Sequence, residues 1–261
     1  TCFSGPRGSE EVMNSSSTVL GAGVSRQKIA AKQRARTEQQ NSLSTDEIYQ
    51  KVYVAVLEYR LRPGTKLAES RLAAIFGCSR TRVREALARL ANEMVVEQIS
   101  QRGAFIAQPS VEQARDVFEL RRIMEPAILK RLIETLTAEK IAILRAHQQL
   151  EIQARALGDN PKVIRLAGDF HRLLAELAGN SVMASNMRQL TVLTCLAICL
   201  YNAPVPTSCR ADEHGQMIDA IESRDLEGAQ LLMANHLDHI EESLRLDTDL
   251  AEPDLEAIFR M

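Results

Sequence analysis

A chain of 261 residues, 45% of them hydrophobic, is long enough for one large or two ordinary domains and apolar enough to fill their cores. Tryptophan is absent and other aromatics are few, while helix-favouring Ala, Leu, Glu, Arg and Gln dominate; this argues against a sheet-rich fold and for a mainly α protein. The formal charge of −2 conceals +3 over residues 1–45, +3 over 46–110 and −8 over 111–261, so the front half needs a polyanionic partner that the back half does not touch. Nucleic acid fits, with an anionic membrane as the competitor. No apolar run reaches the roughly 18 residues of a membrane span, and no signal-peptide pattern opens the chain. The five cysteines, Cys2, Cys78, Cys195, Cys199 and Cys209, show no CxxC spacing, which suits reduced thiols in a cytoplasmic protein rather than a disulfide scaffold.

Residues 1–43 are rich in Ser, Gly, Gln, Arg and Lys without an apolar period and read as a disordered basic leader. Ser44 and Glu47 then form a capping box, followed by Ile48, Val52, Ala55 and Tyr59 on one helical stripe. Arg62-Pro63-Gly64 is expected to end this helix in a turn. In LAESRLAAIFGCSRTRVREALARL, Leu67–Leu90, two short helical patterns follow. Leu72, Ile75 and Phe76 mark a buried stripe of the first, and Gly77 ends it. Ser79 caps the second, whose inner face is Val83, Ala86, Leu87 and Leu90. Two helices joined this tightly must cross steeply, as in a helix-turn-helix.

The outer face of the second helix opens with Arg80, Thr81, Arg82 and Arg84. A helix start normally favours anions, so three arginines there point to an external polyanion; the bland alternative is a solvated basic face. Val95–Ile99 and Ala104–Ala107 are short β-favouring runs around Ser100-Gln101-Arg102-Gly103, a hairpin that completes a winged helix with Arg102 and Gly103 in its wing.

RPGTKLAESRLAAIFGCSRTRVREALARL, followed by QRGAFIAQPS, resembles the DNA-binding domain of the GntR family of transcriptional regulators, in particular its FadR subfamily. The resemblance spans 44–109. It implies contacts to operator DNA from Ser79, Arg80, Thr81 and Arg84, and a wing at Arg102 and Gly103 that enters the minor groove. Three positions depart from the family pattern. Arg82 stands where proline or threonine is common, Ser70-Arg71 replaces a basic-acidic pair, and Met94 replaces a common glycine at the turn into the wing.

Gln108-Pro109-Ser110 marks the boundary, with Ser110 and Gln113 as a second capping box. Residues 110–247 read as an all-α antiparallel bundle, with helices near 111–135, 138–157, 161–178, 182–202, 210–223 and 226–246 and a tail over 248–261. Thr137 and Asp225 are caps, Pro126 should begin a new segment or kink the first helix, and Pro204 and Pro206 mark the longest loop. Asn180 reads as a helix-terminating residue. Cys195 and Cys199 share a core-facing side of their helix.

This half holds His147, His171, His214, His236 and His239, none in a short zinc motif. AGDFHRLLAELAGN, DEHGQMIDAI and LMANHLDHIEESL resemble the FCD effector-binding domain, where an aspartate and three histidines hold a divalent metal. The resemblance implies His171, His214 and His236 as metal ligands and as part of the effector site. The aspartate does not carry over, because its position is Ala167. Asp169 lies about 200° around the helix from His171 and points elsewhere. Three imidazoles still suit Zn²⁺ or a similar ion, with open positions for water or an effector carboxylate; the alternative is a metal-free polar cavity. His147 and His239 read as surface or packing residues. Arg121 matches a recurrent arginine of the family's first effector-domain helix: facing inward it would grip a carboxylate, facing outward it would pair with Glu125.

These features converge on a non-enzymatic, ligand-responsive transcriptional regulator that reads two half-sites of double-stranded DNA as a homodimer with a small carboxylate effector, and the family resemblance implies repression relieved by that effector. Two other readings stay open at this point. One is a metal-dependent enzyme using the histidine cluster, for which Glu213 is a weak base because adjacent helical residues diverge by about 100°. The other is a structural DNA-binding protein.

Overall fold

A computed structural model of the chain describes residues 43–201 and 212–246. The expected leader over 1–43, apart from its last residue, the loop around Pro204 and Pro206, and the tail over 248–261 lie outside the described residues. From Ser44 onward the chain forms one unit. Its described elements are α1 (Thr45–Leu57), β1 (Lys66–Leu67), α2 (Glu69–Phe76), α3 (Arg80–Asn92), β2 (Val96–Ile99), β3 (Gly103–Ile106), α4 (Val111–Glu134), α5 (Ala138–Ala156), α6 (Asn160–Leu177), α7 (Ser181–Tyr201), α8 (Glu213–Glu222) and α9 (Leu226–Glu242). This is a winged helix-turn-helix followed by a helical domain.

The caps act where the local spacing places them. The Glu47 amide donates to Ser44 Oγ at 3.2 Å and the Ser44 amide to Glu47 Oε2 at 2.8 Å, so α1 begins with both ends of its box closed. Ser79, Ser110, Thr137 and Asp225 likewise accept from the amide three residues on. Ile48, Val52 and Ala55 are buried, but α1 ends at Leu57 rather than at Arg62-Pro63-Gly64. Tyr59, expected on the stripe, lies past the end with φ +56° and packs against the second core of the helical domain.

In the helix-turn-helix, Gly77 takes φ +60° and lets α2 stop, while Val83, Ala86, Leu87 and Leu90 bury α3. The expected stripe of α2 is corrected: Leu72 and Phe76 are half-buried and Ile75 is 64% exposed. An eight-residue helix resting on one neighbour covers a single line of its surface, and Ile75 falls beyond it. The wing strands lie within a residue of expectation, with Ile99 opposite Gly103 and Val96 opposite Ile106. Lys66–Leu67, not read as a strand, joins β3 antiparallel to give the order β1-β3-β2. Two residues carry no alternation to read; only their partner defines them.

The helical domain packs α7 against α4 and α6, and α9 against α4 and α8. Pro126 does not divide α4, which runs unbroken for 24 residues. Phe118 before the proline and Ile128, Leu129 and Leu132 after it bury on one continuous face, which outweighs a local cost of ~3 kcal/mol. Asn180 is corrected from terminating a helix to starting one: its Oδ1 accepts from the amides of Val182 and Met183 at 3.1 Å each, at the head of α7. By length and composition α7 is apolar enough to cross a bilayer, but it lies within the bundle with Met187, Val192, Leu196 and Ala197 almost fully enclosed.

Candidate DNA interface and effector site

Arg80, Thr81 and Arg84 are exposed on α3, whereas Arg82, about 200° around from Arg80, is half-buried. Ser79 commits its hydroxyl oxygen to the Arg82 amide at 3.3 Å, the N-cap bond that fixes where the helix begins. The Arg84 fork is engaged: Nε donates to Glu69 Oε1 at 2.9 Å and Nη2 to Glu69 Oε2 at 2.7 Å. In the wing, Gln101 and Gly103 take φ of +60° and +100°, and a Cβ at Gly103 would meet only Lys66 Cε at 4.0 Å. The wing therefore presents bare backbone beside Arg102, whose guanidinium lies 5.6 Å from the Phe105 ring centroid, with Lys66 Nζ 5.7 Å from the same centroid. Arg89 does not join this face, because it pairs with Asp46 and lies over Tyr49.

The second site is a cavity of about 100 Å³ among α4, α6, α7 and α9, lined by Arg121, Ala167, His171, Thr191, Thr194 and His236 among others, with Arg155 also present and no carboxylate in the lining. α6 delivers Ala167 and His171 to it from successive turns. One ring nitrogen from each of His171, His214 and His236 lies within 4.8 Å of the other two, and all three side chains are buried. Each imidazole is held from behind by a glutamate. His171 Nδ1 lies 2.7 Å from Glu125 Oε2, His214 Nδ1 3.0 Å from both Glu151 oxygens, and His236 Nδ1 2.6 Å from Glu213 Oε2.

Protonation follows from this arrangement. Burial alone would raise the Glu125 carboxyl, but Arg121 and His171 beside it hold it down at about 2. Glu151, against the same desolvation, is held at about 2 by His147 and His214, and Glu213 at about 2 by His236 and His239. All three are carboxylates and only accept. Burial pushes His171 down to about 3 despite Glu125, and lowers His236 as well. Both rings are neutral near pH 7, with their single proton on Nδ1 toward the carboxylate. Their Nε2 atoms then face each other at 3.2 Å as two lone pairs. Two acceptors at that distance repel unless a cation lies between them, and imidazoles oriented by carboxylates are the ordinary surroundings of a divalent metal. The donor set fits such an ion, with no carboxylate of the chain among its ligands.

Arg121 faces inward, and from there it makes the Glu125 pair that was expected of an outward-facing side chain. It lines the cavity, yet its Nε donates to Glu125 Oε1 at 2.7 Å and its Nη1 to Thr194 Oγ1 at 3.2 Å. Arg121 Nη2 and Thr191 Oγ1 are buried without a partner. Asp169 turns away from the histidines as expected and pairs with Arg165 and Arg172.

Comparison with known proteins decides the class. A family model described as "Bacterial regulatory proteins, gntR family" matches residues 44–106, and the FCD domain model matches 116–239. The chain belongs to the GntR family. Among curated relatives, the HTH-type transcriptional repressor RspR of Escherichia coli K12 is 26% identical over 203 residues, covering 76% of this chain and 88% of the relative. The HTH-type transcriptional repressor NanR of Salmonella newport is 29% identical over 194 residues, covering 66% of this chain and 74% of the relative. Solved structures of similar fold include E. coli McbR/YncC, with a TM-score of 0.68 at 22% identity, and a GntR regulator from Rhodococcus sp. RHA1, with 0.64 at 23%; each covers 76% of this chain and 95% of the other.

As a GntR regulator with an FCD domain, the protein binds operator DNA through its winged helix, takes a small-molecule effector in its helical domain and is not an enzyme. The enzyme alternative falls with family membership, and the structural alternative with the FCD domain. The roles of four residues of this regulator escaped the sequence. Lys66 flanks the wing from a strand too short to read. Glu125, Glu151 and Glu213 orient the histidines from 46, 63 and 23 residues away. Glu213 diverges from His214 as expected, but for a different purpose: it holds His236 and, at 2.8 Å, His239. One signal was available, since His236 and His239 are three residues apart and share a helix face.

Proposed function

We propose that the protein is a homodimeric, cytoplasmic repressor that reads two operator half-sites and releases them when a small carboxylate occupies the helical domain. Ser79, Arg80, Thr81 and Arg84 contact the operator in the major groove, with Arg82 at the edge of that face, and Arg102 and Gly103 enter the minor groove. The domains divide near residue 109, with 1–43 as a basic leader, 110–247 as the effector domain and 248–261 as a tail. One winged helix offers few base contacts, which is the physical reason to expect two.

The observation that carries the effector reading is the meeting of two unmet demands in one cavity: facing Nε2 lone pairs of His171 and His236, and the partnerless Arg121 Nη2. His171, His214 and His236 would hold a divalent metal such as Zn²⁺, which when bound supplies a Lewis-acidic position for an anionic ligand. Arg121 would hold the ligand's carboxylate, already oriented by Glu125 and Thr194. Ala167 leaves space where a protein carboxylate would otherwise sit. Such a ligand shifts operator binding only through its preference for one placement of the DNA-binding domains. The test is titration calorimetry with Zn²⁺ and then a panel of small carboxylates, together with genomic footprinting of bound sites. Carboxylate binding that is lost in Arg121→Gln and that weakens operator binding supports the reading; carboxylates without effect on either measurement sink it.

A further inference from the structure

Glu69 places a carboxylate on the face of the helix-turn-helix that is otherwise set with arginines. It is the first residue of α2, and both of its oxygens are taken by the Nε–Nη2 edge of Arg84, at 2.9 and 2.7 Å. The Arg84 bond, together with the charges of Arg84 and Arg80, keeps the Glu69 carboxyl below its usual range. Arg80 and Arg84 are one turn apart on α3, so the carboxylate serves both.

This pair contributes little to holding α2 on α3. Arg84 is two-thirds exposed and Glu69 one-third, and exposed ion pairs are worth ~0–1 kcal/mol. The buried Val83, Ala86, Leu87 and Leu90 anchor α3 instead. Nor does the carboxylate favour DNA in general, since it subtracts charge from a surface meant for phosphates. What the bidentate pair does fix is direction. With the Nε–Nη2 edge occupied, the guanidinium plane is set against the carboxylate, and the Nη1–Nη2 edge, which can match guanine O6 and N7, is the one left for a base.

We propose that Glu69 is a specificity-determining residue that aims Arg84 at a base and withholds it from the phosphate backbone. The inference rests on Arg84 lying in the DNA interface, and the experiment separates the two. Full-length wild type, Glu69→Gln and Arg84→Ala are each taken through in vitro selection from a random duplex library, with affinity for a fixed random-sequence duplex measured across a salt series. Glu69→Gln is expected to keep its melting temperature, to bind the random duplex more tightly at low salt, and to lose about tenfold in base preference at the same position that Arg84→Ala flattens, the scale of one bidentate base contact. A Glu69→Gln motif identical to wild type, beside an altered Arg84→Ala motif, overturns the role of Glu69. An Arg84→Ala motif and affinity identical to wild type overturn the reading of Arg84 itself, and this inference with it.

Discussion

Arg165 Nε donates to Glu58 Oε1 across 3.1 Å, tying the helix that carries His171 to the end of the first helix of the winged domain. A second tie lies close by, where Gln189 of α7 donates to the Asn92 carbonyl at the end of α3, 3.2 Å away. The inner faces of α6 and α7 line the effector cavity through Ala167, His171, Thr191 and Thr194, so the same two helices form its wall and grip the DNA-binding domain. Contacts of this kind can transmit a bias without any change of fold. Arg165→Ala combined with Gln189→Ala is expected to leave Zn²⁺ affinity within about twofold of wild type, since neither residue touches the histidines. Zn²⁺ is expected to slow amide exchange in α1 of wild type, and the same variant should lose that slowing. Hydrogen exchange by mass spectrometry measures this, and α1 protection preserved in the double variant would place the coupling elsewhere.

Met94 stands in a left-handed turn with φ +59°, and the Val95 amide donates to the Leu90 carbonyl at 2.9 Å to close it. That bond and that φ define a Schellman cap, whose residue here is usually glycine. A side chain at this φ costs roughly 1–2 kcal/mol, and glycine's extra freedom in the unfolded chain returns part of it. Met94→Gly is therefore expected to stabilise the protein by about 0.5–1 kcal/mol in urea denaturation. Gly77→Ala, at φ +60° with nothing within 4 Å of the added Cβ, should destabilise by about 1 kcal/mol through strain alone.

The difference between what could and could not be read from the sequence is one of range. Ser44, Ser79 and Ser110 declare themselves because a cap acts on the amide three residues on, and the α3 core declares itself through its period. The same locality misled at Ile75, where a period promised burial that an eight-residue helix resting on one neighbour does not provide; at Pro126 the local penalty began no new segment, because long-range packing outweighed it. The histidines emerged only through likeness to a family. The part the glutamates play behind them was not legible, because their histidine partners are reached through the fold.

Acid should destabilise the protein, and the sign can be derived from the buried groups. An unfolded histidine titrates near 6.5, whereas His171 is held at about 3 in the fold and His236 is also lowered. Below pH 6.5 the unfolded chain takes up protons that the folded one refuses, so stability present above that pH is lost as the pH falls toward 3. Below about 4.5 the carboxylates Glu125 and Glu151, each held at about 2, add a loss of the same sign. The unfolding free energy from urea denaturation, measured with a chelator present, should fall steadily from pH 7 to 4, by on the order of 1 kcal/mol per pH unit. His171→Gln, whose amide can still donate to Glu125, should flatten the upper part of that curve; an unchanged slope would show that His171 is not the group responsible.

Metal binding gives the sharpest test of the cluster. If His171, His214 and His236 converge on one ion, wild type should gain about 2.7 kcal/mol of stability at a Zn²⁺ concentration one hundred times the Kd, read as a rise in melting temperature. Replacing any one of them by alanine removes a third of the protein's ligands and should abolish most of that rise. Removing Glu151 or Glu213 as glutamine leaves the nitrogens but not the carboxylates that orient them, and should weaken Zn²⁺ binding by about 10–100-fold. Ala167→Asp provides the opposite control: one turn before His171 on the cavity face of α6, it adds a carboxylate to a site that has none of its own and should tighten Zn²⁺ binding. A melting temperature indifferent to Zn²⁺ in both wild type and Ala167→Asp would leave the three histidines as a metal-free polar wall.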